Sequence, residues 1–408
     1  MNVWLFDLDG VLIRPGGYRE ALRRTATHYS QAAGYATAPL SEDVIESFEA
    51  QGITCEWDIC GICAMADIFG IWRANPELHL AGDLAACQAQ LRSAELAHPA
   101  RDYPGWARRV GAFGGETPSA AALQVFKHEA GRAESDLVRT AEFETILSAV
   151  LGNPREFSRS PVMQYFQQFT LGSRAYADHY RVLPEVETPS LLAELDRPAL
   201  SESSRERILK LQRNGSIQAA IITARPCRPQ SAGNDTFDYP PEAEIALKLA
   251  GLETLPLAGA GQMQWLARRH HQAVDAYLKP SPVHALAALA LALGKKETDA
   301  LESARLLVEE GKMLPPWNSM ADAELRILVF EDSPTGVIGT QSAVDLLRRK
   351  HLGCVLSICG IATGAEKRAA LQSLGARLFE TTDAALDEAF RSLDKDRSGP
   401  RPGPGGLS

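Results

Sequence analysis

The sequence predicts an α/β protein, a Rossmann-like doubly wound parallel sheet carrying a large inserted all-helical domain. Three observations predict it. Short apolar runs end abruptly in polar residues at several places, and segments of helical spacing separate them. Between the first and second runs, about 200 residues rich in Ala, Leu, Arg and Glu carry almost no strand signal.

Val3 to Phe6 is the first buried strand and stops at Asp7-Leu8-Asp9-Gly10. The chain leaves the sheet near Arg14-Pro15-Gly16-Gly17 and returns near Asp196-Arg197-Pro198, so residues 16–198 form the helical domain. Within it, the Gly and Pro residues of Pro99 to Ser119 predict a long loop. Ser204 to Arg213 is an amphipathic helix closed by Asn214-Gly215, and Gln218 to Ile222 is the second strand.

Further strands are expected at Val274 to Leu278, Arg326 to Phe330 and Cys354 to Ile358, with irregular stretches at Pro226 to Pro241 and Pro315 to Asp322. Residues 1–15 and 199–393 thus make the core domain. Residues 394–408 are too poor in apolar side chains to pack and are expected to be a disordered tail.

The chain has 408 residues, of which 45% are hydrophobic and 23% charged, and that is enough for two domains with separate cores. A formal charge of −9 argues against nucleic acid as a partner, because such binders carry a basic face. With no signal segment and no bilayer-length apolar run, a membrane partner is not expected and the chain reads as cytoplasmic. Seven scattered cysteines suit reduced thiols better than a disulfide framework.

If the strands are parallel, then Asp7, Asp9, Thr223, Lys279, Glu331 and Asp332 all follow strand carboxyl ends, the edge where doubly wound sheets bind ligands. Crowded carboxylates repel one another unless a hard divalent cation joins them. Magnesium suits that donor set and phosphoryl chemistry, while a lysine and a hydroxyl can hold phosphate oxygens. Singly, each motif also has a bland reading: a polar turn at Asp7 to Gly10, a cap at Thr223 or Asp332, a solvated Lys279. Their order, each after its own strand, favours the site.

The segments Asp7-Leu8-Asp9-Gly10-Val11, Ile222-Thr223, Lys279-Pro280 and Glu331-Asp332 resemble, in order, the four motifs of the haloacid dehalogenase superfamily of phosphohydrolases. The insertion resembles the helical cap of phosphoglycolate phosphatases and β-phosphoglucomutase, though it is far longer. The resemblance implies that Asp7 attacks phosphorus and forms an aspartyl-phosphate, with Asp9 as acid and then base. It implies Mg2+ held by Asp7, the Asp9 carbonyl and Asp332, with Glu331 behind them, and a transferring phosphoryl group held by Thr223 and Lys279. The expected partner is a small phosphorylated metabolite, met by a monomer or homodimer. A phosphomutase, and a non-catalytic phosphate- or partner-binding module, are the alternatives.

Other motifs have plainer explanations. Cys55, Cys60, Cys63 and Cys87 reproduce an iron–sulfur spacing, but Ile59 to Trp72 is apolar and helical, so buried thiols are expected. Trp57, Met65, Phe69 and Trp72 read as core. His270-His271 sits at a helix end favourable to cations. Arg225 suits a contact to phosphate or to a substrate acid, or a place on the surface.

Overall fold

The computed structural model describes residues 1–36, 40–114, 117–134, 136–153, 157–320 and 324–398. In chain order the strands are β1 (Asn2–Asp7), β2 (Ile13–Arg14), β3 (Arg197–Pro198), β4 (Gln218–Ile222), β5 (Leu257–Ala258), β6 (Leu325–Glu331), β7 (Cys354–Ile361) and β8 (Arg377–Phe379). Six of them form one sheet in the order β5-β4-β1-β6-β7-β8, with every neighbouring pair parallel. The remaining pair, β2 and β3, is a short antiparallel ribbon.

The side-chain period of two explains the layering. On one face, Val3, Leu5, Ala220, Ile222, Ile327 and Val329 pack against the helices Pro282–Ala292, Glu297–Glu310 and Pro334–Arg349. On the other, Trp4, Phe6, Ala219, Ile221 and Phe330 meet the helices Glu202–Arg213, Glu242–Ala250 and Thr382–Ser398. There Phe6 and Phe330 stack with ring centroids 4.7 Å apart, and Trp4 lies 5.7 Å from Phe390. Both faces are covered, as a parallel sheet requires.

The chain divides into two compact units: Met1–Pro15 with Asp196–Ser408, which holds the sheet, and Gly16–Leu195, which is helical. The return point therefore lies just before the β3 ribbon strand. In the helical unit, Glu56–Ala74 is buried nearly all round, and Trp72, Phe69, Phe143, Trp106 and Phe126 form an aromatic cluster about it. Cys60, Cys63 and Cys87 are buried in this core, Cys55 is half-buried, and all seven cysteines of the chain are free thiols.

Three expectations are corrected. Val274 to Leu278 is not a strand: a 3-10 turn, Val274–Ala276, occupies it, and the sheet position beyond β4 belongs to β5. Pro99 to Ser119 is not one long loop, because Tyr103–Phe113 is a helix with Pro104 in its first turn, where no amide donor is needed, and Asp102 capping it. Residues 394–398 continue the last helix, which ends at Ser398. The rest of the expected tail, 399–408, lies outside the described residues. The Pro315 to Asp322 stretch holds a 3-10 turn at Trp317–Ser319, and its final residues are also outside them. Among the described residues, no helix is long and apolar enough to cross a membrane.

Candidate active site at the carboxyl edge of the sheet

β1 is the point where the strand order reverses: β4 and β5 lie to one side, β6 to β8 to the other. In doubly wound sheets, ligands bind outside the carboxyl ends of the strands at such a point. The parallel register brings Asp7 opposite Ile222 and pairs Phe6 with Phe330, so Thr223 and Glu331 emerge beside Asp7.

Asp7 is 6% exposed, and its Oδ1 accepts the amide of Leu8 at 2.8 Å. Lys279 arrives not from a strand but from the turn preceding the helix Pro282–Ala292. Its Nζ sits 2.9 Å from Asp7 Oδ1 and 2.8 Å from Glu331 Oε2. The other Glu331 oxygen accepts the amides of Asp332 and Ser333 at 3.2 and 3.1 Å and the Ser333 hydroxyl at 2.7 Å. Glu331 is thereby saturated and positions Lys279 and the turn.

Asp332 follows on the same turn and pairs with Lys367, from the helix Ala365–Ser373. Oxygens of Asp7, Glu331 and Asp332 all lie within 4.8 Å of one another. Gly10 makes this approach possible: at φ +74°, a Cβ there would stand 2.1 Å from Asp332 Oδ2.

Three acids share two lysines here, and Asp7 is where a negative charge is held at a disadvantage. Burial, then Glu331, drives its carboxyl well above the usual aspartate range, against the pull of Lys279. Burial also works to raise Glu331, but the Lys279 charge and hydrogen bonds from Asp7, Lys279 and Ser333 outweigh it and hold that carboxyl low. Lys279 is raised, because Asp7 and Glu331 overcome its own burial. Burial raises Asp332 despite Lys367. Such a strained pair of aspartates suits a hard divalent cation, which would neutralise Asp7 and Asp332 while Glu331 stays engaged with Lys279.

Asp9 stands outside this set and turns to Arg225, whose Nε reaches its two oxygens at 2.8 and 3.1 Å. Arg225 is buried, so the surface alternative for it falls away. Thr223 is buried after β4, and its hydroxyl accepts the Arg225 amide at 3.0 Å, leaving its own proton to donate. Its amide bonds Ala258 O at 3.0 Å, and the same carbonyl is 3.0 Å from His284 Nε2. Burial, then Lys279, pushes His284 down to about 3, so a neutral imidazole braces the Thr223 turn.

Asp196, Lys367 and His284 escaped the reading of the sequence. Asp196 marked only the return of the chain to the sheet, and no spacing rule ties Asp196, Lys367 or His284 to residues so distant in the chain. His270, at the helix end, pairs with Glu302 at 2.8 Å.

No known family model and no curated protein matches the chain. The fold is shared with the X-ray structure of Northeast Structural Genomics Consortium target ZR25, at TM-score 0.63 and 14% identity over 97% of this chain and 100% of that one. Phosphatase Tt82 from Thermococcus thioreducens aligns over 96% of this chain and 99% of its own at 14% identity, but its TM-score of 0.42 is too low to carry an argument.

Proposed function

We propose that the chain is a magnesium-dependent phosphohydrolase of the haloacid dehalogenase type, cleaving a small phosphate monoester through an aspartyl-phosphate on Asp7. One observation carries this reading: a buried aspartate at the switch point of a parallel sheet, touched by a lysine and within 4.8 Å of Glu331 and Asp332 oxygens. Mg2+ would be held by the carboxylates of Asp7 and Asp332 and the Asp9 carbonyl, and would supply charge neutralisation for the acids and the phosphate.

Asp7 Oδ attacks phosphorus and becomes acylphosphate, while the P–O bond to the alcohol breaks. Asp9 gives the departing oxygen its proton, then takes one from the water that hydrolyses the aspartyl-phosphate, which returns both carboxyls to their starting state. Lys279 and Thr223 face the charge that spreads over the phosphoryl oxygens. Seven free thiols and the acidic charge suit the cytoplasm as the place of reaction.

The test is phosphate release by the purified protein from sugar phosphates, phosphoglycolate and nucleoside monophosphates, with magnesium and with EDTA. Release that needs magnesium and vanishes in Asp7→Asn is the expected outcome. Activity persisting in that variant removes Asp7 as nucleophile.

A further inference from the structure

Building on that reading, we infer that Arg225 is a positioning residue for Asp9 and that Asp196 holds Arg225 in place. Arg225 follows Thr223 in the turn after β4, where its N–H donates to Thr223 Oγ1 at 3.0 Å and its carbonyl accepts the Ala260 amide at 3.0 Å. The backbone is therefore pinned before the side chain begins.

The guanidinium then meets two carboxylates. Nη2 lies 2.5 Å from Asp9 Oδ1 and 2.8 Å from Asp196 Oδ2, while Nε completes a forked grip on Asp9. The Arg225 side chain is 1% exposed, that of Asp196 0% and that of Asp9 33%. A buried guanidinium must be paired, and Asp196 alone would neutralise it. The second acid is thus not needed for burial, and it is the one that opens to solvent, where a substrate arrives.

A planar fork fixes the plane and direction of the carboxylate it binds, which a lysine cannot do. The grip takes Asp9 Oδ1 twice and Oδ2 once, so the proton that Asp9 passes to the leaving group sits on the open side of Oδ2. That transfer depends on aim, since a misplacement of about 1 Å costs on the order of a hundredfold in rate. Asp196 is the first residue of the sheet-bearing unit after the helical one, and Thr223 belongs to the expected phosphate cradle. Arg225 thus ties the acid to that cradle.

The test uses the full chain and two esters, p-nitrophenyl phosphate with a good leaving group and an alkyl phosphate with a poor one. Arg225→Met strands two carboxylates and endangers folding, so Arg225→Lys and Asp196→Asn are the variants. Arg225→Lys is expected to lower kcat roughly tenfold to a hundredfold on the alkyl ester, and only a few fold on the nitrophenyl ester, with KM little changed. Asp196→Asn should move the ratio the same way by less.

In an Asp9→Ala background, Arg225→Lys should add no further loss. Equal losses on both esters, or losses that multiply with Asp9→Ala, overturn the assignment while the hydrolase stands. Wild-type protein that releases no phosphate from either ester overturns both.

Discussion

At the scale of single residues, Asp7 has a carboxyl raised well above its usual range chiefly by burial and Glu331. Stability tied to its protonated form is complete below the ordinary aspartate value, about 3.9, and is lost as pH rises through the raised one. Glu331 runs the other way: its depressed carboxyl contributes above the ordinary glutamate value, about 4.3, and the contribution fades as pH falls through the lowered one. Removing the Asp7 charge should therefore stabilise metal-free protein at neutral pH. Asp7→Asn is expected to raise its stability by about 1–2 kcal/mol in EDTA, with the gain shrinking in acid buffer. Thermal unfolding at the two pH values measures this, and a pH-independent difference would place the cause elsewhere. Magnesium should raise the melting temperature of wild type far more than that of the variant.

At the scale of elements, the turn from β6 into the helix Pro334–Arg349 does two things at once. Ser333 caps the helix by accepting the Gly336 amide at 3.2 Å, and its hydroxyl donates to Glu331 at 2.7 Å. Ser333→Ala should cost about 1 kcal/mol for the cap and loosen the Lys279 partner as well. Denaturant unfolding reads the first effect and kcat the second. Gly10→Ala should be worse, since the left-handed backbone costs a side chain about 1–2 kcal/mol and its Cβ collides with Asp332. Calorimetry should find magnesium affinity lost in that variant, and unchanged binding would refute the role of the turn.

Which elements the sequence discloses follows from their length and context. Gln218–Ile222 is legible as a strand because the apolar run Ala219 to Ile222 follows a closed amphipathic helix. Leu257–Ala258 is not, because two residues carry no period. Val274 to Leu278 misleads for the opposite reason: its apolar residues look like a strand, but the segment turns at Val274–Ala276 to launch a helix and so delivers Lys279. Pro104 and Gly105 read as breakers, yet they sit in a first helical turn that Asp102 caps.

At the scale of the molecule, each unit has its own core. That of the helical unit runs from Ala21 to Leu191, while the two faces of the sheet are packed from residues outside it. Gly16 and Leu195 bound the helical unit and lie together, since a Cβ on Gly16 would stand 2.8 Å from the Leu195 carbonyl. A fragment of residues 16–195 should therefore fold alone. Helical circular dichroism with one cooperative thermal transition is the expected result, and a non-cooperative melt would mean that its core depends on the rest of the chain.

The sequence by itself determined the α/β class, the helical character of the long insertion, and the placement of Asp7 and Glu331 at strand ends. These depend on local period and on where apolar runs stop. Only the tertiary structure decided that Lys279 stands between Asp7 and Glu331, that Lys367 meets Asp332, and that Arg225 joins Asp9 to Asp196. Those partners are far apart in the chain, and what brings them together is the strand order and the burial of charges that must find opposite charges, neither of which is written in local spacing.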